Sequence, residues 1–550
     1  MPPRSRCAAL GRWQLFSIAL SSIWSTHFFG WHDPSSVGHE GSHILGLGIV
    51  VGTYWCMNTC SNAIFQVIQF SGGAYGLARV SLGFYTGFLV ATTEWLEYTM
   101  QMTHAMLLFS NLVTQIVVMT STMSTFTLQL MLWLTLTCLA VGVHTAPPAV
   151  GIRIFLVGGL AVVPVMGALL LFVVTTSRSS ALMAAPLTPP RFIDVVRLLP
   201  HMCWHFIGVD SLHLCCDDVD DSQCVVPQIK SGTLAVVSVS AIAGLAFAIA
   251  YSPIPPSTPP GMDAMLTIFP AALLVLSWLL SASRVLLGMA ASRLVFRCLR
   301  NRMLLHRAPV LALLVCGVAS ITFATFASFV PSFRPLDLAI ACALFRQMAQ
   351  CLGFLYLHRM FKHLSDSLRS LWNVARAVAA FVVWLGSFVS LLCLAPNGKT
   401  TALVIGVLVS LATVYYFFHV KDAQKYSDAE RKSLMFAHVI LFNYNKTKQM
   451  QRRCRRESLA ARRQSMTTPS VPSMPPPSSA KSMQKYTFPP EPARRVVVLS
   501  RRNTTVESNF IIRDGKVIPI PATATSPAKT AANNERRKSS AHSIELATLE

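Results

Sequence analysis

Residues 201–211 read His201-Met202-Cys203-Trp204-His205-Phe206-Ile207-Gly208-Val209-Asp210-Ser211. They sit inside an apolar run long enough to cross a bilayer, yet they carry a glycine, a hydroxyl and a carboxylate where a plain spanning helix carries Leu or Val. A charge at membrane depth costs a few kcal/mol or more, so its presence asks for a function or a partner. Backbone freed from its helix is tolerated at that depth only where it lines a cavity or is buried in protein. The first apolar run has the same ingredients in Ser21-Ser22-Ile23-Trp24-Ser25-Thr26-His27-Phe28-Phe29-Gly30-Trp31. Both runs are therefore expected to be breakable helices.

The rest of the chain places these two runs. The 550 residues are 53% hydrophobic and 13% charged, with a mean hydropathy of +0.50, which excludes a water-exposed globular surface. A spanning helix needs about 20 mostly apolar residues. That window finds twelve spans, at 12–31, 45–69, 82–109, 126–143, 153–176, 198–217, 231–252, 264–291, 309–329, 336–358, 373–394 and 402–420. Turn-forming stretches separate them, among them Asp33-Pro34-Ser35-Ser36, Ala146-Pro147-Pro148, Pro186 to Pro190, Pro253 to Pro260 and Pro396-Asn397-Gly398. An even number of spans puts both termini on one side. The short loops on that side hold 14 Lys/Arg and those opposite hold 5, so both termini are expected in the cytosol, with the plasma membrane as the host bilayer. The pair Arg191 and Arg197, with Arg178, runs against this bias.

Residues 1–11 form a short cytosolic N-terminus without a cleavable leader, 12–420 the twelve-helix domain, and 421–445 a juxtamembrane segment. Residues 446–550 hold 20 Lys/Arg against 7 Asp/Glu and are rich in Ser, Thr and Pro, so a disordered basic tail is expected. Its blocks Arg452-Arg453, Arg455-Arg456 and Arg462-Arg463 suit an anionic inner leaflet, each charge near the surface contributing about 1 kcal/mol. Arg536-Arg537-Lys538-Ser539 has the form of a basophilic kinase site. The sequons Asn445-Lys446-Thr447 and Asn503-Thr504-Thr505 should stay unglycosylated on the cytosolic side. The 14 cysteines are scattered through apolar stretches and read as small packing residues rather than as a disulfide framework.

Ionisable residues within the spans are few: Glu94 and Glu97, three apart on one helical face, Asp210, Arg284, Arg346 and Arg376. Structural ion pairing is one reading of them and ion coupling the other. Interrupted helices at corresponding positions of two five-span halves are the sequence pointer to a transporter substrate site, and spans 1 and 6 correspond in this way.

Ser71-Gly72-Gly73-Ala74-Tyr75-Gly76-Leu77-Ala78-Arg79, Leu82-Gly83, Gly87-Phe88 and Glu94-Trp95-Leu96-Glu97-Tyr98 together resemble the segment joining helices 2 and 3 of the amino acid/polyamine/organocation transporters. The Glu-x-x-Glu-Tyr ending and Phe29-Gly30-Trp31 are most similar to the ethanolamine permease branch, and Phe206 to Ser211 with Asp217-Asp218-Val219 and Pro227 is similar to the family's sixth helix and the loop after it. Ser283-Arg284 also fits. The resemblance covers about residues 12–420 and implies an all-α polytopic membrane protein of the LeuT type, with a 5+5 inverted repeat (12–176 and 198–358) plus two helices (373–394 and 402–420). It implies secondary active transport of an amino acid or small amine by alternating access. The substrate residues it implies are Ser25, Thr26, His27, Phe28 and Gly30 on span 1, and Trp204, Phe206, Gly208, Val209, Asp210 and Ser211 on span 6. Coupling or gating falls to Glu94, Glu97 and Arg284, with H+ or Na+ as the coupling ion and no other cofactor.

Ser25-Thr26-His27 replaces the glycine pair that cradles a carboxylate in that family, which moves the expected substrate toward an amine or amino alcohol. The two rival readings are a metal-ion transporter, from His201, Cys203, His205, His213, Cys215, Cys216 and Asp217, and a non-transporting nutrient sensor that signals through the tail. No spacing among the metal-type residues matches a standard zinc pattern, and no nucleophile/base pair, phosphate loop or nucleic-acid motif is evident, so neither an enzyme nor a nucleic-acid partner is expected.

Overall fold

A bilayer offers no partner to free N–H and C=O groups, so apolar segments of this length close their backbone bonds internally as helices. The computed structural model of the chain describes residues 11–31, 40–65, 72–117, 124–176, 189–219, 222–250, 262–300, 309–361, 366–467, 510–513 and 516–519. These form α1 (Arg12–Trp31), α2 (Glu40–Phe65), the short α3 (Gly73–Ser81), α4 (Phe84–Val117), α5 (Thr125–Thr145), α6 (Pro148–Thr176) and α7 (Phe192–Met202). After α7 come 3₁₀ turns at Cys203–Phe206 and Val209–Asp218. The chain then continues through α8 (Ser222–Ala250), α9 (Met262–Ala291), α10 (Val310–Phe329), α11 (Pro335–Phe361), α12 (Asp366–Arg369), α13 (Leu371–Cys393) and α14 (Gly398–Tyr415). A π-helical turn at Tyr416–Val420, α15 (Lys421–Ala423) and α16 (Asp428–Thr467) follow.

The chain is an all-α polytopic membrane protein, and a helix stands at each of the twelve expected spans. Among the described residues eight helices are long and apolar enough to cross a membrane unaided, and the bent pair Phe192–Phe206 and Val209–Cys216, 41° apart, makes a ninth. Three helices fall short of that standard: α6, whose described apolar part is Ala149–Val165, and α1 and α4, which carry polar residues, hydroxyls and His27 on α1 and Glu94, Glu97 and Gln101 on α4. Those side chains are buried among other helices, where a polar face needs no lipid. Helix α4 packs most heavily against α9 and α11, and α1 against α6, α8 and α9. Trp133, Trp278 and Trp384 are wholly buried in this core.

Contiguous chain units are 1–461 and 462–550. Within the second, β1 (Phe510–Arg513) and β2 (Lys516–Pro519) pair antiparallel, with Ile511 opposite Ile518. The expected tail boundary at 446 falls inside α16, whose helix continues to Thr467 and whose Arg452–Arg456 block is exposed along it. The N-terminal residues 1–10, the loop around Arg178, the Asn503 sequon and the Arg536–Ser539 stretch lie outside the described residues.

Three expectations from the sequence are corrected. The interruption expected in span 1 is absent: α1 is helical from Arg12 through Trp31. Two of its hydroxyls bond back to their own helix, Ser22 Oγ donating to the Ile18 carbonyl and Thr26 Oγ1 to the Ser22 carbonyl, which satisfies them without opening it. Lys230, counted among the loop cations, lies on the third turn of α8 and is 2% exposed, so it belongs to the buried charges and the loop bias becomes 13 to 5. Arg376, for which a structural ion pair within the spans was one reading, is exposed in the second turn of α13 and donates to Asn373 Oδ1 at 2.8 Å rather than to a carboxylate.

On one face the connection between α2 and α4, the end of α9 and the start of α16 meet. Arg79 of α3 donates both hydrogen bonds of one Nη1 to the Glu430 carboxylate at 3.0 Å, and Ser292 Oγ and the Ser427 N–H donate to the same carboxylate at 3.0 and 2.7 Å. Phe84 and Tyr426 flank the guanidinium with ring centroids at 5.3 and 5.1 Å. Burial pushes the Tyr426 hydroxyl above its usual pKa. This contact fixes the α2–α4 connection, the end of α9 and the segment after α14 on the same side.

Candidate functional site

The sixth span does break, and the break has an identifiable cause. Pro200 removes a donor from the last turn of α7, Ile207 is extended, and Gly208 takes φ 107°, in the left-handed region that only glycine enters freely. A Cβ on Gly208 would stand 3.1 Å from Cη2 of the buried Trp278, so both backbone angle and space require the glycine. The Ser211 N–H and its Oγ both donate to the Gly208 carbonyl, at 3.0 and 2.7 Å, which turns the chain into the second 3₁₀ segment.

That turn delivers Asp210 to a wholly buried charge network. Lys230 Nζ of α8 donates to Asp210 Oδ1 at 2.6 Å. On α11, Arg346 Nη1 donates to Asp210 Oδ2 at 3.1 Å and Gln347 Nε2 donates to the same oxygen. Arg346 also forks onto Glu97 of α4, Nε to Oε2 at 2.7 Å and Nη2 to Oε1 at 3.0 Å. Bidentate guanidinium–carboxylate pairs of this kind are among the strongest side-chain contacts and fix orientation as well as energy. Four helical elements far apart in sequence are thereby tied at one point.

Glu94 stands one turn before Glu97 and is 1% exposed, but among the described residues no cation pairs with it. Its Oε1 accepts from the Tyr98 hydroxyl at 3.5 Å, and its Oε2 has no hydrogen-bond partner. Three buried carboxylates, Glu94, Glu97 and Asp210, therefore face two cations, Lys230 and Arg346. With every group ionised the cluster would carry one uncompensated negative charge, which a low-dielectric interior does not tolerate without a proton or a cation. Gln347 Oε1, Trp278 Nε1 and Ser25 Oγ are further buried polar atoms with unfilled hydrogen-bonding capacity. Trp278 stacks on Tyr98 at 5.4 Å.

The two spans singled out from the sequence do meet. His27 Nδ1 of α1 lies 3.3 Å from His205 Nδ1, and His27 Nε2 lies 3.0 Å from Ser240 Oγ of α8. Phe29 stacks on Trp204 at 6.4 Å, His104 stands edge-on to Trp204 at 5.2 Å, and Phe206 packs on Tyr54 at 4.9 Å. Ser25, Thr26, His27, Phe28, Trp204, Phe206, Val209, Asp210 and Ser211 are all buried, and Gly30 lies in the last turn of α1. Arg284 is not the cation on Glu97: that place is taken by Arg346, and Arg284 Nη1 donates to the Leu214 carbonyl at 3.2 Å. Lys230, Gln347 and Tyr98 were not among the expected site residues, Tyr98 entering only as the end of the Glu-x-x-Glu-Tyr motif and Lys230 only as a loop cation. Lys230 was placed one residue before its span because the helix begins at Ser222, nine residues earlier than the apolar window.

Of the metal-type residues around the break, His201 faces Asp337 at 3.4 Å and His213 stacks on Phe65 at 4.4 Å. Among the described residues no group of three or more His, Cys, Asp and Glu is arranged to hold a metal.

No family model matches the chain, and no curated protein matches it. Among solved structures it is similar to a Na+-coupled sialic acid symporter in a substrate-bound, outward-open state, at 11% identity and a TM-score of 0.44, over 70% of this chain and 90% of that one.

Proposed function

We propose that the chain is a secondary active transporter of the LeuT type that moves a small amine or amino acid by alternating access, and that Glu94 carries the coupling proton. The observation that carries this reading is the charge imbalance at the break of span 6: a buried carboxylate without a cation, beside a network that joins α4, α8 and α11 to the broken segment. A group placed so is neutral when protonated and demands a counter-charge when not, which ties its proton to the arrangement of the helices around it. The substrate's ammonium is the natural second claimant for that site, in company with Asp210 and the ring faces of Trp204 and Phe206. The 13-to-5 Lys/Arg bias supports cytosolic termini, with the Arg79–Glu430 contact on the cytosolic face.

The test is uptake into liposomes of purified protein, screened against ethanolamine, neutral and cationic amino acids and polyamines, under a pH gradient, a Na+ gradient or neither. Glu94→Gln should bind and exchange substrate across the membrane while losing accumulation driven by the pH gradient. Full pH-driven accumulation by Glu94→Gln would remove the proton from Glu94, and accumulation that follows Na+ alone would replace the coupling ion.

A further inference from the structure

A second site lies at the end of α9, where the chain passes into the α9–α10 connection. Arg293 has φ 59° and, among the described residues, is the one non-glycine in the left-handed region. Its neighbours hold it there. Ser292 is wholly buried, its Oγ donating to Glu430 and its carbonyl accepting from the Lys425 N–H at 3.1 Å, and Leu294 is wholly buried in the core. Such backbone strain persists only where the surroundings over-determine it, and it concentrates at ligand sites.

The strained turn presents Arg293 to a cavity of about 220 Å³, whose other walls are Phe296, Tyr415, His419, Val420 and Ala423. The far wall is shaped by the π-helical turn Tyr416–Val420, a rare conformation frequent at functional sites. It stacks Tyr415 on His419 at 5.6 Å, while Phe296 closes on His419 at 5.9 Å from the near side. The Arg293 side chain has no hydrogen-bond or ion-pair partner among the described residues, and no acid lines the cavity. Lys421 adds a further cation beside it, over the Phe417 ring at 5.9 Å, and the acid next along, Asp422, is exposed and outside the lining. Phe296 in the lining is 62% exposed, and Phe417 and Phe418, on the same π-helical turn as His419, are 56% and 87% exposed.

We propose that this cavity binds the phosphate headgroup of an anionic phospholipid, with Arg293 and His419 on the phosphate and the exposed phenylalanines along the acyl chains. Charge complementarity selects the headgroup: Arg293 and His419 both line the cavity, and no acid is in its lining. The surroundings select a lipid over a soluble phosphate, because exposed phenylalanines favour hydrocarbon while Tyr415 in the lining suits the headgroup level. Basic pockets between spanning helices on the Lys/Arg-rich side are suited to such headgroups.

The experiment uses the full-length protein purified in a neutral detergent, with its thermal unfolding followed as a function of added ligand. Dioctanoyl phosphatidylglycerol should raise the unfolding temperature saturably, and dioctanoyl phosphatidylcholine should not. Arg293→Asn removes the charge while keeping a residue that tolerates the left-handed region, and should weaken the apparent affinity by about fivefold, the equivalent of one charge–phosphate contact. His419→Gln is the second variant, in a side chain that is exposed and carries no core packing, and should weaken it in the same direction. Equal stabilisation by phosphatidylcholine, or by inorganic phosphate at the same concentration, would overturn the proposal. So would phosphatidylglycerol affinity unchanged in both variants.

Discussion

Spans 1 and 6 start from the same material and end differently. Each has hydroxyls, a glycine and an ionisable group near mid-span, yet α1 is an unbroken helix and the sixth span gives up its helix between Met202 and Asp218. On α1 the hydroxyls of Ser17, Ser22 and Thr26 turn back onto carbonyls four residues earlier, and α6 lies against the helix so closely that a Cβ on Gly159 would come within 2.9 Å of the Ser21 nitrogen. A helix gripped that tightly by a neighbour has no room to unwind. In the sixth span the break is held by donors from elsewhere: three side chains on α8 and α11 converge on Asp210, and Trp278 of α9 fits the space beside Gly208. Polar residues make a helix breakable, but partners on other helices decide whether it breaks.

The largest test of that difference is to remove the partner. Arg346→Leu leaves Glu97 without its fork and Asp210 with Lys230 as its one cation beside the Gln347 amide, and breaking a buried pair from one side costs about 3–5 kcal/mol. The variant should lose most of its monodisperse peak in detergent size-exclusion chromatography. A normal yield with normal thermal unfolding would mean that the network does not hold the break. A smaller effect comes from the break itself. Gly208→Ala forces a Cβ into a left-handed residue, at about 1–2 kcal/mol, and against Trp278, so the unfolding temperature should fall while the protein still folds. An unchanged unfolding temperature would show that residue 208 does not take the left-handed conformation.

The helical architecture was legible because its signal is summed over whole spans: apolar runs of bilayer length and turn residues between them require nothing from elsewhere in the chain. The meeting of spans 1 and 6 was legible from their shared composition, and the break at Gly208-Val209-Asp210 from a glycine beside a charge. What could not be read were facts that depend on partners. Glu97 finds Arg346 across 249 positions and Asp210 finds Lys230 across 20, and nothing local distinguishes these cations from Arg284 or Arg376. Lys230 was hidden by a polar first turn: Ser222-Gln223-Cys224 starts the helix before hydropathy does. The continuity of α1 was illegible for the same reason, since whether a serine hydroxyl loosens a helix or bonds back to it is settled by the helix packed beside it.

The smallest expected effect falls on the unbroken span. Thr26 is wholly buried and its Oγ1 donates at 2.8 Å to the Ser22 carbonyl, a group already serving the helix's own ladder. Thr26→Val keeps the branched shape and removes only the hydroxyl, so no backbone group is left without a partner and no cavity opens. A net hydrogen bond of this kind contributes about 0.5–1.5 kcal/mol, and a back-bond shared with the ladder should lie at the low end of that range. The unfolding temperature of Thr26→Val should therefore stay within the error of the parent's, well above that of Gly208→Ala. If the valine variant instead unfolds as early as Gly208→Ala, the hydroxyl is holding α1 closed, and the two spans differ by a single hydrogen bond rather than by the neighbours that grip them.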